Sequence, residues 1–283
     1  MTVKNYSGEK IMLHETISLS DKHTEATLTT YVSDFTRTAP RRALIVCPGG
    51  GYHDLSPRES EPIVYRFLGK GYNVFLLRYK VVRCEEDMGL GYEPVTEAAR
   101  AIAHVRENAE KYNIIPNKIF IMGFSAGGHL AASSGILWNC PALKKEFEGK
   151  PEGIGRPDGM VLSYPVITGG DFAHKKSIKM LSGHNDLTDE DIYEWSLENH
   201  VDETTPPAFV WHTVTDKVVP IQNALLIADA FTKNKVPYEL HIFPEGPHGL
   251  ALANEETSYG NAEHNRPNAQ CWTELADTWM KNI

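Results

Sequence analysis

Two periods of apolar residues follow one another along the chain. From Ile11 to Ser33, β-branched and apolar stretches (Ile17-Ser18-Leu19, and Ala26-Thr27-Leu28-Thr29-Thr30-Tyr31-Val32) are separated by the polar break Ser20-Asp21-Lys22. This pattern predicts an antiparallel strand pair. Past Ala39-Pro40-Arg41-Arg42 the spacing changes to short continuous apolar runs: Ala43 to Cys47, Val74 to Tyr79, Ile119 to Phe124, Met160 to Tyr164, Ala208 to Trp211 and Tyr238 to Phe243, the last one alternating. Segments of helical period stand between them. The alternation predicts six buried strands of a parallel sheet, helices on both faces and right-handed crossovers, an α/β architecture. In one intervening segment Val95, Ala98, Ile102, Val105, Ala109 and Tyr112 recur at steps of three and four. That spacing predicts a helix from Glu93 to Asn113 with a single buried stripe.

The stretch 168–201 breaks the pattern. It carries Gly169-Gly170, His174, Lys175-Lys176, His184-Asn185-Asp186 and an acidic run from Asp189 to Glu194, with no strand signal. It reads as a lid-like insertion within one domain spanning residues 1–283, placed over the C-terminal strand edge where open α/β sheets bind ligands.

Composition narrows the function class. A formal net charge of -9 argues against a surface that neutralises phosphates, so a neutral small molecule is the expected partner and nucleic acid is not. Cys47, Cys84, Cys140 and Cys271 show neither Cys-x-x-Cys pairing nor zinc-like spacing, which predicts free thiols and no metal. Residues 1–10 lack an apolar core of secretory type, and no segment reaches the ~18 apolar residues of a membrane span. The expectation is a soluble cytoplasmic protein with no membrane partner, and the sequence leaves a homodimer open.

The strongest chemical signal is Ile119-Phe120-Ile121-Met122-Gly123-Phe124-Ser125-Ala126-Gly127-Gly128, a buried strand running into Gly-x-Ser-x-Gly and a helix of small residues. A serine on a strained strand-to-helix turn projects its hydroxyl clear of the sheet, while the unpaired N–H of Ala126 points to where an oxyanion would form. The pentapeptide alone also occurs as an ordinary glycine-rich turn; the flanking strand and helix favour a nucleophile. A second signal is the glycine run Gly49-Gly50-Gly51 after an earlier strand. A dinucleotide fingerprint would need glycine where Asp54 stands, and no Gly-Lys-Ser/Thr follows. Backbone donors for an oxyanion fit it better.

Asp216 follows a strand in Thr215-Asp216-Lys217-Val218-Val219-Pro220, and His248 follows the next strand in Gly246-Pro247-His248-Gly249. The order nucleophile, acid, base is the one this arrangement requires, because serine needs an imidazole to take its proton and the imidazole needs a carboxylate to hold it. His129, His212, His241 and His264 are weaker bases by position. Asp186, Asp189, Asp191, Asp202 and Glu203 are rival acids that read as solvated charge.

Four segments, Cys-Pro-Gly-Gly-Gly-Tyr at 47–52, Gly-Phe-Ser-Ala-Gly-Gly-His-Leu-Ala at 123–131, Thr-Asp-Lys-Val-Val-Pro at 215–220 and Gly-Pro-His-Gly at 246–249, resemble the acetyl-esterase and acetylxylan-esterase-like branch of the α/β-hydrolases. The resemblance implies an α/β-hydrolase fold and hydrolysis of short-chain, chiefly acetyl, esters of sugars without a cofactor. It implies a triad of Ser125, Asp216 and His248 and oxyanion donors on Gly50, Gly51 and Ala126. Pro48, where many relatives carry histidine, points to the sugar-esterase members. By their places at strand ends, Tyr52, His53, Tyr164, Trp211 and His212 are expected to bind substrate. An arylformamidase-like amide hydrolase is the nearest rival, and a non-catalytic sugar- or partner-binding relative is the alternative of another class.

Overall fold

The computed structural model describes residues 2–4, 10–20, 25–33 and 39–283. Their strands are β1 (Thr2–Lys4), β2 (Lys10–Leu13), β3 (Thr16–Ser18), β4 (Thr27–Ser33), β5 (Arg41–Cys47), β6 (Asn73–Arg78), β7 (Ile114–Phe124), β8 (Gly159–Ser163), β9 (Ala208–Thr213) and β10 (Tyr238–Phe243). All join one sheet in the order β1-β2-β4-β6-β5-β7-β8-β9-β10, with β3 paired to β4. The stretch from β6 through β10 is parallel and the N-terminal pairings are antiparallel, as the two periods of the sequence require. Asp21 and Lys22 of the expected polar break lie outside the described residues.

The helices are α1 (Glu61–Gly69), α2 (Glu93–Glu107), α3 (Ala126–Ile136), α4 (Pro141–Glu146), α5 (Lys175–Ser182), α6 (Asp189–Glu194), α7 (Gln222–Lys233), α8 (Glu255–Ser258), α9 (Pro267–Gln270) and α10 (Trp272–Asn282). Because side chains alternate along a strand, each strand of the sheet feeds two cores. Ala43, Ile45 and Cys47 pack with Val95, Leu130 and Ile227 on one face, whereas Leu44 and Val46 pack with Phe67, Trp272 and Met280 on the other. Burial on both faces is why these runs read as continuously apolar.

Two expectations need correction. The sixth strand, β10, is an edge strand paired only to β9, with Tyr238 and Ile242 exposed. Its alternating pattern reflects that half-exposed place. The helix expected to reach Asn113 stops at Glu107, where the Asn108 side chain and N–H both donate to His104 O at 2.8 and 3.1 Å. The chain then turns so that Tyr112 packs edge-on against Phe75, and Asn113 adopts φ 47° to enter β7. The stretch 168–201 forms α5, α6 and a single 3-10 turn without a strand. No described helix is long and apolar enough to cross a membrane.

One core residue makes stability depend on pH. Glu97 of α2 is fully buried; one oxygen accepts the Lys80 N–H at 2.8 Å, and the other has no partner. Burial pushes its pKa up to about 7 from an ordinary 4.5, opposed by the Lys80 hydrogen bond. Between those values the folded state holds a proton that the unfolded chain has released, so stability falls as pH rises through this window. Glu97→Gln keeps an oxygen for Lys80 and carries no charge. We expect it to unfold several degrees above the wild type at pH 8 to 9, reflecting up to about 3 kcal/mol, and at the wild-type temperature near pH 4.5. A difference in melting temperature that does not change with pH would refute this role.

Candidate active site

The C-terminal ends of β5, β7, β8, β9 and β10 lie along one edge of the parallel sheet, and the loops leaving them converge. Ser125 sits between β7 and α3 with φ 54° and ψ -119°, the strained turn expected of it. Close approach permits the turn: a side-chain carbon on Gly127 would lie 2.2 Å from Cys47 O and 2.4 Å from Pro48 O. The first turn of α3 therefore rests against the start of the glycine loop.

Three side chains from three strand ends meet there. Ser125 Oγ lies 2.7 Å from His248 Nε2, and His248 Nδ1 lies 2.6 Å from Asp216 Oδ2. The carboxylate beside Nδ1 assigns the ring proton to that nitrogen, so Nε2 presents its lone pair to the serine hydroxyl, which donates. Ser125 is 8% exposed, so only a small part of it meets solvent. Asp216 Oδ1 accepts N–H groups of Val218 and Val219 at 2.9 and 3.0 Å. Burial alone would raise the pKa of Asp216. Hydrogen bonds from His212, His248 and the Val219 N–H outweigh it and hold the carboxyl well below the usual range. Asp216 is therefore an anion at any pH where the imidazole is neutral.

The loop after β5 supplies donors. Gly50 at φ 134° and Gly51 at φ 65° take conformations that side chains resist, and a side-chain carbon on Gly50 would lie 2.0 Å from Asp54 O. The loop carbonyls are each occupied: Pro48 O accepts from Tyr79 O–H at 2.6 Å, Gly49 O from Ser56 N–H at 2.9 Å, and Gly50 O from His53 and Asp54 N–H at 3.2 and 3.1 Å. A peptide unit is planar and trans, so pinning a carbonyl directs the next residue's N–H the opposite way. Among the described residues none accepts from the N–H of Gly50, Gly51 or Ala126. Those three groups remain for a ligand.

Most of the expected substrate contacts are buried. Tyr52 is fully buried: its φ of 60° swings the ring inward, where its O–H donates to His129 Nδ1 at 3.0 Å. His129 Nε2–H donates to Trp195 O at 3.2 Å, and burial lowers its pKa to about 4, so this ring is neutral and structural. Trp211 is also fully buried, stacked on Trp272. His212 is fully buried as well, with Nε2 2.9 Å from Val219 O and 3.4 Å from Asp216 Oδ2. Two causes act: Tyr52 is turned inward by its left-handed backbone in the loop after β5, whereas Trp211 and His212 lie in β9, whose alternation sends them to opposite faces of a sheet covered on both sides. Tyr164, also buried, sets its ring edge-on to His248 at 5.1 Å between centroids. Only His53 stays partly open, beside Gly51.

The rival acids lie elsewhere. Asp186, Asp189 and Glu203 are exposed, Asp191 caps α6 and pairs with His184, and Asp202 binds Thr204. Among the rival bases, His241 pairs with Glu239 on the edge strand.

Three residues gained no role from the sequence. His174, from the stretch after β8, brings Cε1 within 3.6 Å of the point where a Gly51 side chain would begin, as His53 does with Cδ2. Burial and the neighbouring His248, Lys176 and His53 lower its pKa. Asn223 Oδ1 accepts N–H groups of Ile167 and Thr168 at 2.8 and 3.1 Å, tying the start of that stretch to α7. Glu59 is buried beneath the glycine loop. The fold bends distant segments onto one point, and no local spacing announces such contacts.

Residues 31–231 match the BD-FAE family. The chain belongs to this family. Residues 195–282 also match the dienelactone hydrolase family. As a BD-FAE member the chain is similar, at 35% identity and a TM-score of 0.79, to the crystal structure of an acetyl ester-xyloside bifunctional hydrolase from Caldicellulosiruptor lactoaceticus, over 95% of this chain and 96% of that one. It is 40% identical over 216 residues to endo-1,4-beta-xylanase B of Butyrivibrio fibrisolvens, covering 76% of this chain and 33% of that protein. It is 30% identical over 216 residues to acetylxylan esterase of Xylanibacter ruminicola, covering 75% of this chain and 41% of that one. The chain thus spans between a third and about two fifths of the length of these two relatives. The fold is that of the α/β-hydrolases.

Proposed function

We propose that this BD-FAE member is a serine carboxylesterase that removes acetyl groups from small sugars or xylo-oligosaccharides. The observation that carries the reading is the hydrogen-bonded line from Ser125 Oγ through His248 to Asp216 at 2.7 and 2.6 Å, next to a glycine loop and helix start whose Gly50, Gly51 and Ala126 N–H groups have no acceptor among the described residues. Ser125 Oγ attacks the ester carbonyl carbon as its proton passes to His248 Nε2. Asp216 stabilises the imidazolium, and the N–H groups of Gly50, Gly51 and Ala126 hold the oxyanion. Collapse expels the alcohol, which takes the proton from His248. Water repeats the sequence on the acyl-enzyme, releasing acetate and restoring Ser125.

The sugar-ester assignment draws on the relatives named above and on the character of 168–201, which we read as a cap over the site within a single domain. A lipase cap presents a broad apolar face to lipid. This segment exposes Phe172 and Tyr193 among the charged Asp171, Lys175, Lys176, Asp186, Asp189 and Glu190, and brings His174 toward the glycine loop. His174 and His53 then meet the hydroxyl-rich alcohol.

Acyl-chain preference tests the reading. An acyl pocket that buried each added methylene would gain about 0.8 kcal/mol per step, a steep rise with chain length. We expect kcat/KM across p-nitrophenyl esters to be highest for acetate and to fall by butyrate or hexanoate, with acetate released from acetylated xylo-oligosaccharides. Preference for octanoate or longer, or faster turnover of N-formylkynurenine than of any acetyl ester, would overturn it.

A further inference from the structure

We propose that Glu59 is a positioning residue: its buried carboxylate locks the glycine loop that supplies the oxyanion donors to the loop that carries His248. The inference rests on the esterase reading of that site.

Glu59 closes a single 3-10 turn, Pro57–Glu59, and is 3% exposed. Its Oε2 accepts the Gly49 N–H at 2.8 Å, and its Oε1 accepts the Tyr164 O–H at 2.7 Å. The Tyr164 oxygen in turn accepts the Ala251 N–H at 2.9 Å, three residues beyond His248, while the Tyr164 ring stands edge-on to the imidazole. One carboxylate therefore bridges the loop after β5 and, through the residue that follows β8, the loop after β10. The same turn grips Gly49 a second time, because Ser56 N–H donates to Gly49 O at 2.9 Å. Gly49 is thus held at both its N–H and its C=O. The Glu59 bond fixes the Pro48–Gly49 peptide unit and the Ser56 bond fixes the Gly49–Gly50 unit that follows it, so the direction of the Gly50 N–H assigned to the oxyanion depends on both.

A carboxylate suits this place because both of its oxygens only accept, and the two groups it meets both donate. Glu59 touches neither Ser125 nor His248 in the hydrogen-bond network, so its effect passes through Gly49 and Tyr164. A buried carboxylate that served only stability would change the amount of folded enzyme. One that aims the donors changes how tightly the folded enzyme holds a tetrahedral oxyanion.

Glu59→Gln separates the two. The amide keeps one accepting oxygen, so either Gly49 N–H or Tyr164 O–H loses its acceptor. Active sites of wild type and variant are counted by fluorophosphonate labelling, and kcat, KM and inhibition by a trifluoromethyl ketone, which forms a tetrahedral adduct, are measured per site. Losing an oxyanion donor outright costs about 10²- to 10³-fold in kcat, so misdirecting one should cost about 10- to 100-fold, with KM nearly unchanged and the ketone Ki rising in step with the fall in kcat/KM. Tyr164→Phe, which keeps the ring against His248 and removes the link to Glu59, should show a smaller loss of the same pattern and serves if Glu59→Gln does not fold. Turnover per labelled site within about threefold of wild type in the folded variants, less than any oxyanion donor contributes, would overturn the positioning role alone. So would lost turnover with unchanged ketone affinity. Absence of wild-type ester turnover would overturn the esterase reading and this inference together.

Discussion

Ser125→Ala is expected to lower kcat about 10⁵-fold or more and to leave the fold intact, because it deletes the proposed nucleophile and little else. The strained backbone at φ 54° is shared by alanine, and the turn's main-chain bonds persist: Ser125 N–H to Ser163 O at 3.0 Å, and Val166 and His129 N–H to Ser125 O at 3.1 Å each. Gly50, Gly51 and Ala126 still present their N–H groups, so substrate can bind and a small residual rate over water should survive. The loss should fall on kcat far more than on KM. A fluorophosphonate probe should label the wild type at Ser125 and leave the variant unlabelled. Turnover within about tenfold of wild type, against the much larger loss expected for a triad nucleophile, would require another nucleophile.

Asp216→Asn is expected to lower kcat by about 10³- to 10⁴-fold through the wrong imidazole tautomer. An asparagine oxygen can still accept the Val218 and Val219 N–H groups, which turns its NH₂ toward His248 Nδ1. That nitrogen must then accept, so the ring proton moves to Nε2 and faces Ser125, where it cannot take up another. Asp186→Asn and Asp202→Asn, which alter an exposed residue and one bound to Thr204, should leave kcat within about twofold, since surface changes away from a site cost little. If either of these were the inactive variant and Asp216→Asn remained active, the acid would have to be reassigned.

Local chemistry made much of this legible in the sequence. Period-two and continuous apolar runs are set by which faces of a strand are covered, so β5 to β9 could be read directly. Gly-x-Ser-x-Gly after one such run marks a strained turn whose geometry is local, and Asp216 and His248 lie in the loops that leave β9 and β10, at the same sheet edge. Where helix α2 ends was less legible, because the side-chain cap at Asn108 and the left-handed Asn113 compete with a hydrophobic stripe that continues to Tyr112.

The sequence by itself determined the fold class, the succession of strands along the chain and the places of Ser125, Asp216 and His248 after them, because periodicity and turn chemistry are properties of neighbouring residues. Tertiary structure alone decided what surrounds them. Whether a side chain at a strand end is buried depends on the turn that carries it and on what covers the sheet: Tyr52 turns inward at φ 60°, Trp211 and His212 are both buried because both faces of β9 are covered, and His53 stays partly open. Glu59 meets Tyr164 across 105 residues and His174 meets the Gly51 loop across more than a hundred, contacts that arise only when the sheet brings its loops together. Such contacts have no period, so they leave no pattern along the chain.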